Sequence, residues 1–311
     1  MSFYCDLNAI SLSGPNGRFS MIEFFKMEGA GNDYVYVDLR ENAKKILQLN
    51  TELLPRLCDR RYGIGGDGLV IIGPSDRAAG RMWMWNADGS ASAMCGNALR
   101  CVSLYLSADA RKKDLIVESG VGLHRAEIIS RDENVMSGSV RLDMGRPLFE
   151  AHIIPFSRES KDLPGRPVRY QHGLKGLDEG HVLSMGNPHC VIFVDDPDTV
   201  DIESIGPRIE NDPAFPERTN VEFVSIKADG SLYQRTWERG SGETLACGSG
   251  ACAALVAAAS AGLSGRTNTV HLRGGDLFIE WNETVHMTGP ARLVFRGQID
   301  EREFPLFSKD V

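Results

Sequence analysis

The sequence has no apolar run that approaches the ~20 residues needed to span a bilayer; its longest candidate, 251–261, is mostly alanine. It also has no block of basic residues, and Lys and Arg total 34 against 42 Asp and Glu, a net charge of −8. Nucleic-acid binding requires clustered positive charge. Residues 1–20 lack the basic start and apolar core of a secretory signal. These absences predict a cytoplasmic protein without membrane or nucleic-acid partners.

Seven cysteines are an odd number for a chain without an export signal, so a disulfide framework is not expected. Two close pairs, Cys95 with Cys101 and Cys247 with Cys252, raise a zinc site as an alternative. They leave five and four residues between the thiols, whereas zinc hairpins usually leave two to four. Both pairs also stand at the head of helical patterns. We therefore predict no metal site.

The composition, with 42% hydrophobic and 24% charged residues, is that of a globular protein, and 311 residues are enough for two domains. Most segments alternate apolar and polar residues with period two, which predicts β-strands. These segments are 34–37, 81–85, 139–142, 221–224, 277–281, 284–287 and 292–295. Few helices are predicted, and two of them begin at Cys95 and Cys247.

The two halves of the chain repeat one plan. Segment 94–101 resembles segment 246–252, and the first cysteines are 152 positions apart (247 minus 95). The tryptophan turns that begin at Trp85 and Trp237 have the same separation, and Gly-Asn pairs precede both. Matched landmarks in one order indicate an internal duplication. We predict an α+β fold of two pseudo-symmetric domains, 21–144 and 145–292, after an extension at 1–20.

Each half is predicted to be a mostly antiparallel sheet or barrel wrapped around its central helix. The first helix has an apolar stripe formed by Leu99, Val102 and Leu106, so it is predicted to be amphipathic. The second helix is small and apolar on every face, which predicts full enclosure. Cys101 and Cys252 lie inside these helices and are predicted to be core residues.

A cysteine followed by glycine opens each of the two helices. The free N–H groups and the helix dipole at such a start stabilise a thiolate and lower its pKa, and they also bind a carboxylate. Inverting a stereocentre needs a base on one face and an acid on the other, which two opposed thiols provide. No Schiff-base lysine is indicated, and the glycine-rich segment 61–68 lacks the ending of a phosphate-binding loop. The pattern predicts a cofactor-independent epimerase or racemase.

From Ile22 to the end, the chain closely resembles the diaminopimelate epimerase family. The motifs behind this resemblance are 25–34, 85–90, 94–97, 186–189, 218–221, 237–244 and 246–250. The resemblance implies interconversion of LL- and meso-diaminopimelate, on the route to lysine and peptidoglycan, without cofactor or metal. It also implies that a C-terminal strand at about 293–308 returns to the first domain.

By resemblance, Cys95 and Cys247 are the two acid/base residues. The helix-start donors that hold the reacting carboxylate are Gly96, Asn97, Gly248 and Ser249. The ligands of the amino groups and the distal carboxylate are Asn32, Asn86, Asn187, Asn220, Glu238 and Arg239. A guanidinium suits a carboxylate, and Glu238 suits an ammonium group. His189 beside Asn187 is open to either a site role or a core role.

Three positions depart from the family pattern: Gly68, where some members have a glutamine ligand; Ser249, where many have threonine; and Ala98, where glycine is usual. Proline-type racemases usually have Cys-Gly-His at 95–97, and phenazine-type isomerases lack the two thiols, so both are weaker alternatives. A binding protein without catalysis would not need two opposed thiols. The sequence leaves a homodimer open.

Overall fold

The computed structural model describes residues 21–110, 112–132, 134–157 and 165–307. The predicted extension at 1–20, with Cys5, lies outside the described residues, as does residue 308 at the end of the predicted C-terminal strand. Among the residues described, no helix is long and apolar enough to cross a membrane.

Seventeen strands of the described chain form one continuous sheet. In chain order, β1 to β17 are Met21–Gly29, Asn32–Asp38, Gly68–Gly73, Arg81–Asn86, Ala91–Ser92, Asp114–Ser119, Gly122–Asp132, Ser137–Asp143, Val168–Tyr170, Gly180–Ser184, Pro188–Phe193, Asn220–Ile226, Leu232–Glu238, Gly242–Thr244, Thr267–Leu272, Gly275–Trp281 and Val285–Asp300. The α-helices α1 to α4 are Leu54–Leu57, Gly96–Ala110, Ile202–Glu210 and Gly248–Ala261. Short 3-10 turns occupy Ala43–Gln48, Thr51–Leu53 and Pro197–Thr199.

The order of strand pairing is the same in both halves. In the first half β2 pairs parallel with β3, β3 antiparallel with β4, and β4 parallel with β6. In the second half β11 pairs parallel with β12, β12 antiparallel with β13, and β13 parallel with β15. Helix α2 follows β5, and α4 follows β14. The predicted α+β fold of two pseudo-symmetric halves is confirmed.

Both central helices are enclosed by the sheet. Helix α4 is buried on every face, as predicted, because alanine and glycine let strands approach from all sides. The prediction of an amphipathic α2 is wrong, because the polar face with Arg100 and Ser103 is also buried. Ser103 Oγ donates to the Leu99 carbonyl at 2.7 Å, and Arg100 Nε donates to the Pro290 carbonyl at 3.0 Å. These internal bonds satisfy Ser103 Oγ and Arg100 Nε, which would otherwise need water, whereas Arg100 Nη2 has no hydrogen-bond partner among the described residues.

The last strand links the halves. Segments 284–287 and 292–295 were predicted as separate strands, but the chain forms the single strand β17 through both. Its first part pairs with β16 and β8, and its last part pairs antiparallel with β1 from Met21 to Glu28. The strand predicted at about 293–308 ends earlier, at Asp300. We propose that the domains divide as predicted, at 21–144 and 145–292, with the segment from 293 onwards belonging to the first.

Candidate active site

Cys95 and Cys247 each stand immediately before the first residue of a central helix. Cys247 is the N-cap of α4, and its Sγ accepts a hydrogen bond from the Gly250 N–H at 3.4 Å. The Cys95 carbonyl accepts the Leu99 N–H at 2.9 Å, as the residue before a helix does. Both thiols are free. The first-turn N–H groups of each helix therefore point towards its own thiol.

The two helix starts meet. Asn97 Nδ2 of α2 donates to the carbonyl of Ala246, next to Cys247, at 3.0 Å. The Met287 side chain from β17 contacts both starts: a Cβ added to Gly96 would lie 3.0 Å from its Cε, and one added to Gly248 would lie 3.0 Å from its Sδ. A side chain at either position would therefore require the Met287 side chain to shift. The Asn97 side chain therefore links the two halves through this hydrogen bond. Its backbone N–H is one of the donors at the start of α2.

Asn32 lies against the first thiol. It begins β2 directly after a turn in which Ala30 and Gly31 have φ of 55° and 79°. Its Oδ1 is 3.5 Å from Cys95 Sγ. The same turn contacts the second half, because a Cβ added to Gly31 would lie 3.1 Å from Gly274 Cα.

The corresponding asparagine of the second half is held by a histidine. Asn187 Oδ1 lies 3.1 Å from His189 Nε2, and His189 Nδ1 lies 2.8 Å from Glu222 Oε1. The His189 and Glu222 side chains are fully buried, so His189 belongs to the wall of the site. The sequence reasoning missed Glu222, although a glutamate inside the apolar strand β12 was a usable signal, since such a group is rarely buried without a partner.

Asn220, Glu238 and Arg239 form one cluster at the end of β13. Asn220 Nδ2 donates to the Pro188 carbonyl at 2.9 Å, and its Oδ1 accepts the Arg239 N–H at 2.9 Å. Glu238 Oε1 accepts a hydrogen bond from Thr244 Oγ1. Asn220 therefore joins the Gly-Asn turn of the second half to the backbone that bears Arg239.

Ser249 and Asn86 are the last two predicted site residues. Ser249 Oγ lies 3.6 Å from Cys247 Sγ. Asn86 is placed in its own turn, where its Nδ2 donates to Ser90 Oγ at 3.0 Å. Gly68 has no room for a side chain, because a Cβ there would lie 2.0 Å from the Trp85 carbonyl oxygen. A glutamine ligand at that position is incompatible with this backbone.

Electrostatics at the two thiols differ from the sequence-based expectation. Burial raises the pKa of Cys95 and, more strongly, of Cys247, and the charge of Glu238 raises both further. The first-turn N–H groups act in the opposite direction but do not dominate. The expected fall in thiol pKa is therefore wrong for this structure, because desolvation disfavours the charged form. Burial also raises the pKa of Glu238 to about 6.

The other described thiols lie in the core. Burial raises the pKa of Cys101 and Cys252 to about 12, in keeping with core residues. Within the described ranges, no three His, Cys, Asp or Glu side chains are grouped so as to hold a metal ion.

Comparisons with known proteins agree with this geometry. The diaminopimelate epimerase family profile matches residues 24–149 and 181–294. Diaminopimelate epimerase of Leptospira biflexa is 46% identical over 285 residues, 90% of this chain and 99% of that protein. The protein of the same name from Desulfitobacterium hafniense is 43% identical over 285 residues, again 90% and 99%. Among solved structures, a hydroxyproline epimerase from Agrobacterium vitis has a TM-score of 0.65 at 15% identity, covering 93% of this chain and 95% of that chain.

The duplicated two-domain fold is shared with the hydroxyproline epimerase structure, which gives the fold class of this chain. Within that class, the family profile and the relatives both match diaminopimelate epimerase. The chain belongs to the diaminopimelate epimerase family and is an isomerase.

Proposed function

We propose that this enzyme interconverts LL- and meso-diaminopimelate without a cofactor, by moving the Cα proton between Cys95 and Cys247. The main support is the hydrogen bond from Asn97 to the Ala246 carbonyl, because it joins the two thiol-bearing helix starts directly. The relatives named diaminopimelate epimerase support the substrate. With this substrate, the enzyme acts on the route to lysine and peptidoglycan.

One thiolate removes the Cα proton, and the opposite thiol returns a proton to the other face of the carbon. The roles are exchanged for the reverse reaction. The negative charge that develops on the substrate carboxylate is stabilised by first-turn N–H groups at Gly96, Asn97, Gly248 and Ser249. These donors are fixed by the helices, so they need no rearrangement when the charge forms.

Substrate binding itself favours thiol ionisation. Glu238 accepts a substrate ammonium group, and this neutralises the charge that raises the pKa of both thiols. The Arg239 guanidinium binds the distal carboxylate. Asn32, Asn86, Asn187 and Asn220 complete the ligand set, with Asn220 acting through its hold on the Arg239 backbone.

The test is deuterium incorporation from D₂O into LL-diaminopimelate. Wild type should place deuterium at one Cα and form the meso isomer, and Cys95→Ala and Cys247→Ala should each abolish conversion. Cys101→Ala and Cys252→Ala are matched controls, since each removes a buried thiol from the same helix and should retain conversion. Label in proline but not in diaminopimelate would assign a proline-type racemase reaction instead.

A further inference from the structure

Asp67 lies near the end of the glycine-rich segment 61–68, which has no part in the proposed mechanism. Its Oδ2 accepts Asn32 Nδ2 at 2.8 Å and the Asp33 N–H at 2.9 Å, and its own N–H donates to the Asp33 carbonyl at 2.6 Å. Its Oδ1 accepts Arg60 Nη2 at 2.9 Å. The carboxylate is therefore fixed on both oxygens, directly behind the asparagine that touches Cys95.

The chemistry of this contact determines the orientation of the Asn32 amide. An ionised carboxylate can only accept hydrogen bonds, so Asn32 must turn its NH2 group towards Asp67. Its carbonyl oxygen then faces Cys95 Sγ, 3.5 Å away. A carbonyl oxygen accepts an S–H but offers nothing to a thiolate, so this orientation favours the protonated form of Cys95.

The second thiol has different surroundings, although the N–H groups of Asn97 and Ala98 and the Tyr34 hydroxyl can also donate to Cys95. Cys247 Sγ accepts the Gly250 N–H at 3.4 Å and lies 3.6 Å from the Ser249 hydroxyl, both of which can donate to a thiolate. The asparagine of the second half, Asn187, is contacted by His189 rather than by a carboxylate. The two pseudo-symmetric halves thus differ in the group that orients the asparagine.

We propose that Asp67 is a positioning residue that locks the Asn32 amide with its carbonyl towards Cys95, so that Cys95 retains its proton before substrate binds. Arg60 bonds to Asp67 and Asp33 together, and Lys26 pairs with Asp33 at 2.7 Å. Burial and the charge of Asp33 raise the pKa of Asp67, and the Arg60 guanidinium opposes both and favours the carboxylate. The charged or titratable groups that act on Cys95 include Glu238 and Tyr34, and the neighbouring groups Arg100, Tyr36 and Cys101 interact with it as well. The catalytic consequence, though not the orientation, depends on the proposed function.

The direct test needs no substrate. Rates of iodoacetamide labelling at Cys95 and Cys247 are measured by peptide mass spectrometry from pH 6 to pH 10. In Asp67→Asn the Asn32 amide is free to turn and donate to the sulfur, so we expect Cys95 to react about fivefold faster at pH 7, the effect of one hydrogen bond. Cys247 should change by less than twofold. Asp59→Asn is the matched control: it removes an exposed carboxylate from the neighbouring turn and should change neither rate.

A double-mutant cycle separates orientation from charge. Asn32→Ala should also accelerate labelling of Cys95, and adding Asp67→Asn to it should give no further change. If Asp67→Asn accelerates Cys95 equally with and without Asn32→Ala, the effect is that of distant charge and the proposal is wrong. Unchanged labelling of Cys95 in Asp67→Asn also overturns it. If Asp67→Asn does not fold, Asn32→Ala alone provides the test. An unchanged labelling rate of Cys95 in that variant would show that the Asn32 carbonyl does not act on Cys95, and the proposal would be wrong.

A kinetic readout then tests the catalytic consequence. Asp67→Asn should lower kcat for epimerisation about tenfold while KM changes less than threefold. The reason is that Cys95 no longer holds its proton before substrate binds, whereas substrate binding itself is retained. Asp67→Glu, which keeps a carboxylate, should recover part of kcat. An increase in KM at constant kcat would refute the positioning role. If labelling follows the prediction while wild type leaves diaminopimelate unchanged, the proposed function fails and the orientation by Asp67 stands.

Discussion

The charge of Glu238 is expected to destabilise the folded protein, although the proposed reaction requires it. Its side chain is half-buried beside Cys247 and has one hydrogen-bond donor, Thr244. Burial, followed by the charges of Glu222 and Asp67, raises its pKa from 4.5 to about 6. Ionising Glu238 therefore costs about 2 kcal/mol more in the folded chain than in the unfolded chain. Because the side chain is only half-buried, solvent screening reduces this cost to about 1 kcal/mol.

The sign of the effect follows from the raised pKa. Below pH 4.5 the carboxyl is protonated in both states and the cost is absent; it grows as pH rises and is complete above about pH 6. Glu238→Gln keeps the shape and removes the charge. We therefore expect the variant to be about 1 kcal/mol more stable at pH 8, a rise of about 3 °C in Tm, and to lose this advantage near pH 4.5.

The assay is calorimetric or fluorescence melting at pH 8 and pH 4.5, with Glu243→Gln as the matched control. Glu243, on the adjacent strand, binds Arg235 at 2.8 Å and Arg273 at 3.0 Å, so the same substitution there should lower stability at pH 8. Epimerase activity of Glu238→Gln should fall at least about 30-fold through loss of the ammonium partner. An equal gain in Tm at both pH values, or none at pH 8, would refute the electrostatic explanation.

Three further predictions concern packing and thiol reactivity. Gly68→Ala should destabilise the fold by about 1–3 kcal/mol in urea unfolding, since its Cβ would meet the Trp85 carbonyl, whereas Gly265→Ala, in open space, should be near neutral. Leu255→Ala, in the fully buried α4, should cost about 3 kcal/mol in the same assay; a loss below 1 kcal/mol would contradict the enclosure of this helix. Cys252, whose pKa is raised to about 12 by burial, should resist iodoacetamide in the folded enzyme at pH 8 and react only after unfolding.

Much of the site could be predicted because its determinants are local. The Cys-Gly pairs at 95–96 and 247–248 open helices in both halves, and the common spacing identified the duplication that brings them together. The strands were recognisable from alternation over a few residues. The prediction of two separate strands within β17 was wrong. That strand is continuous only because it pairs with β16, β8 and β1 in succession, and these pairings are not visible in the sequence.

The sequence alone determined the duplicated α+β plan, the two helix-start thiols and the family, because these depend on residue order and short-range pattern. Only the tertiary structure decided that Glu222 supports His189, that Asp67 orients Asn32, that both faces of α2 are buried, and that the pKa of each thiol is raised. Each of these depends on which groups from distant segments meet and how much water they exclude, and desolvation and amide orientation are properties of that packing.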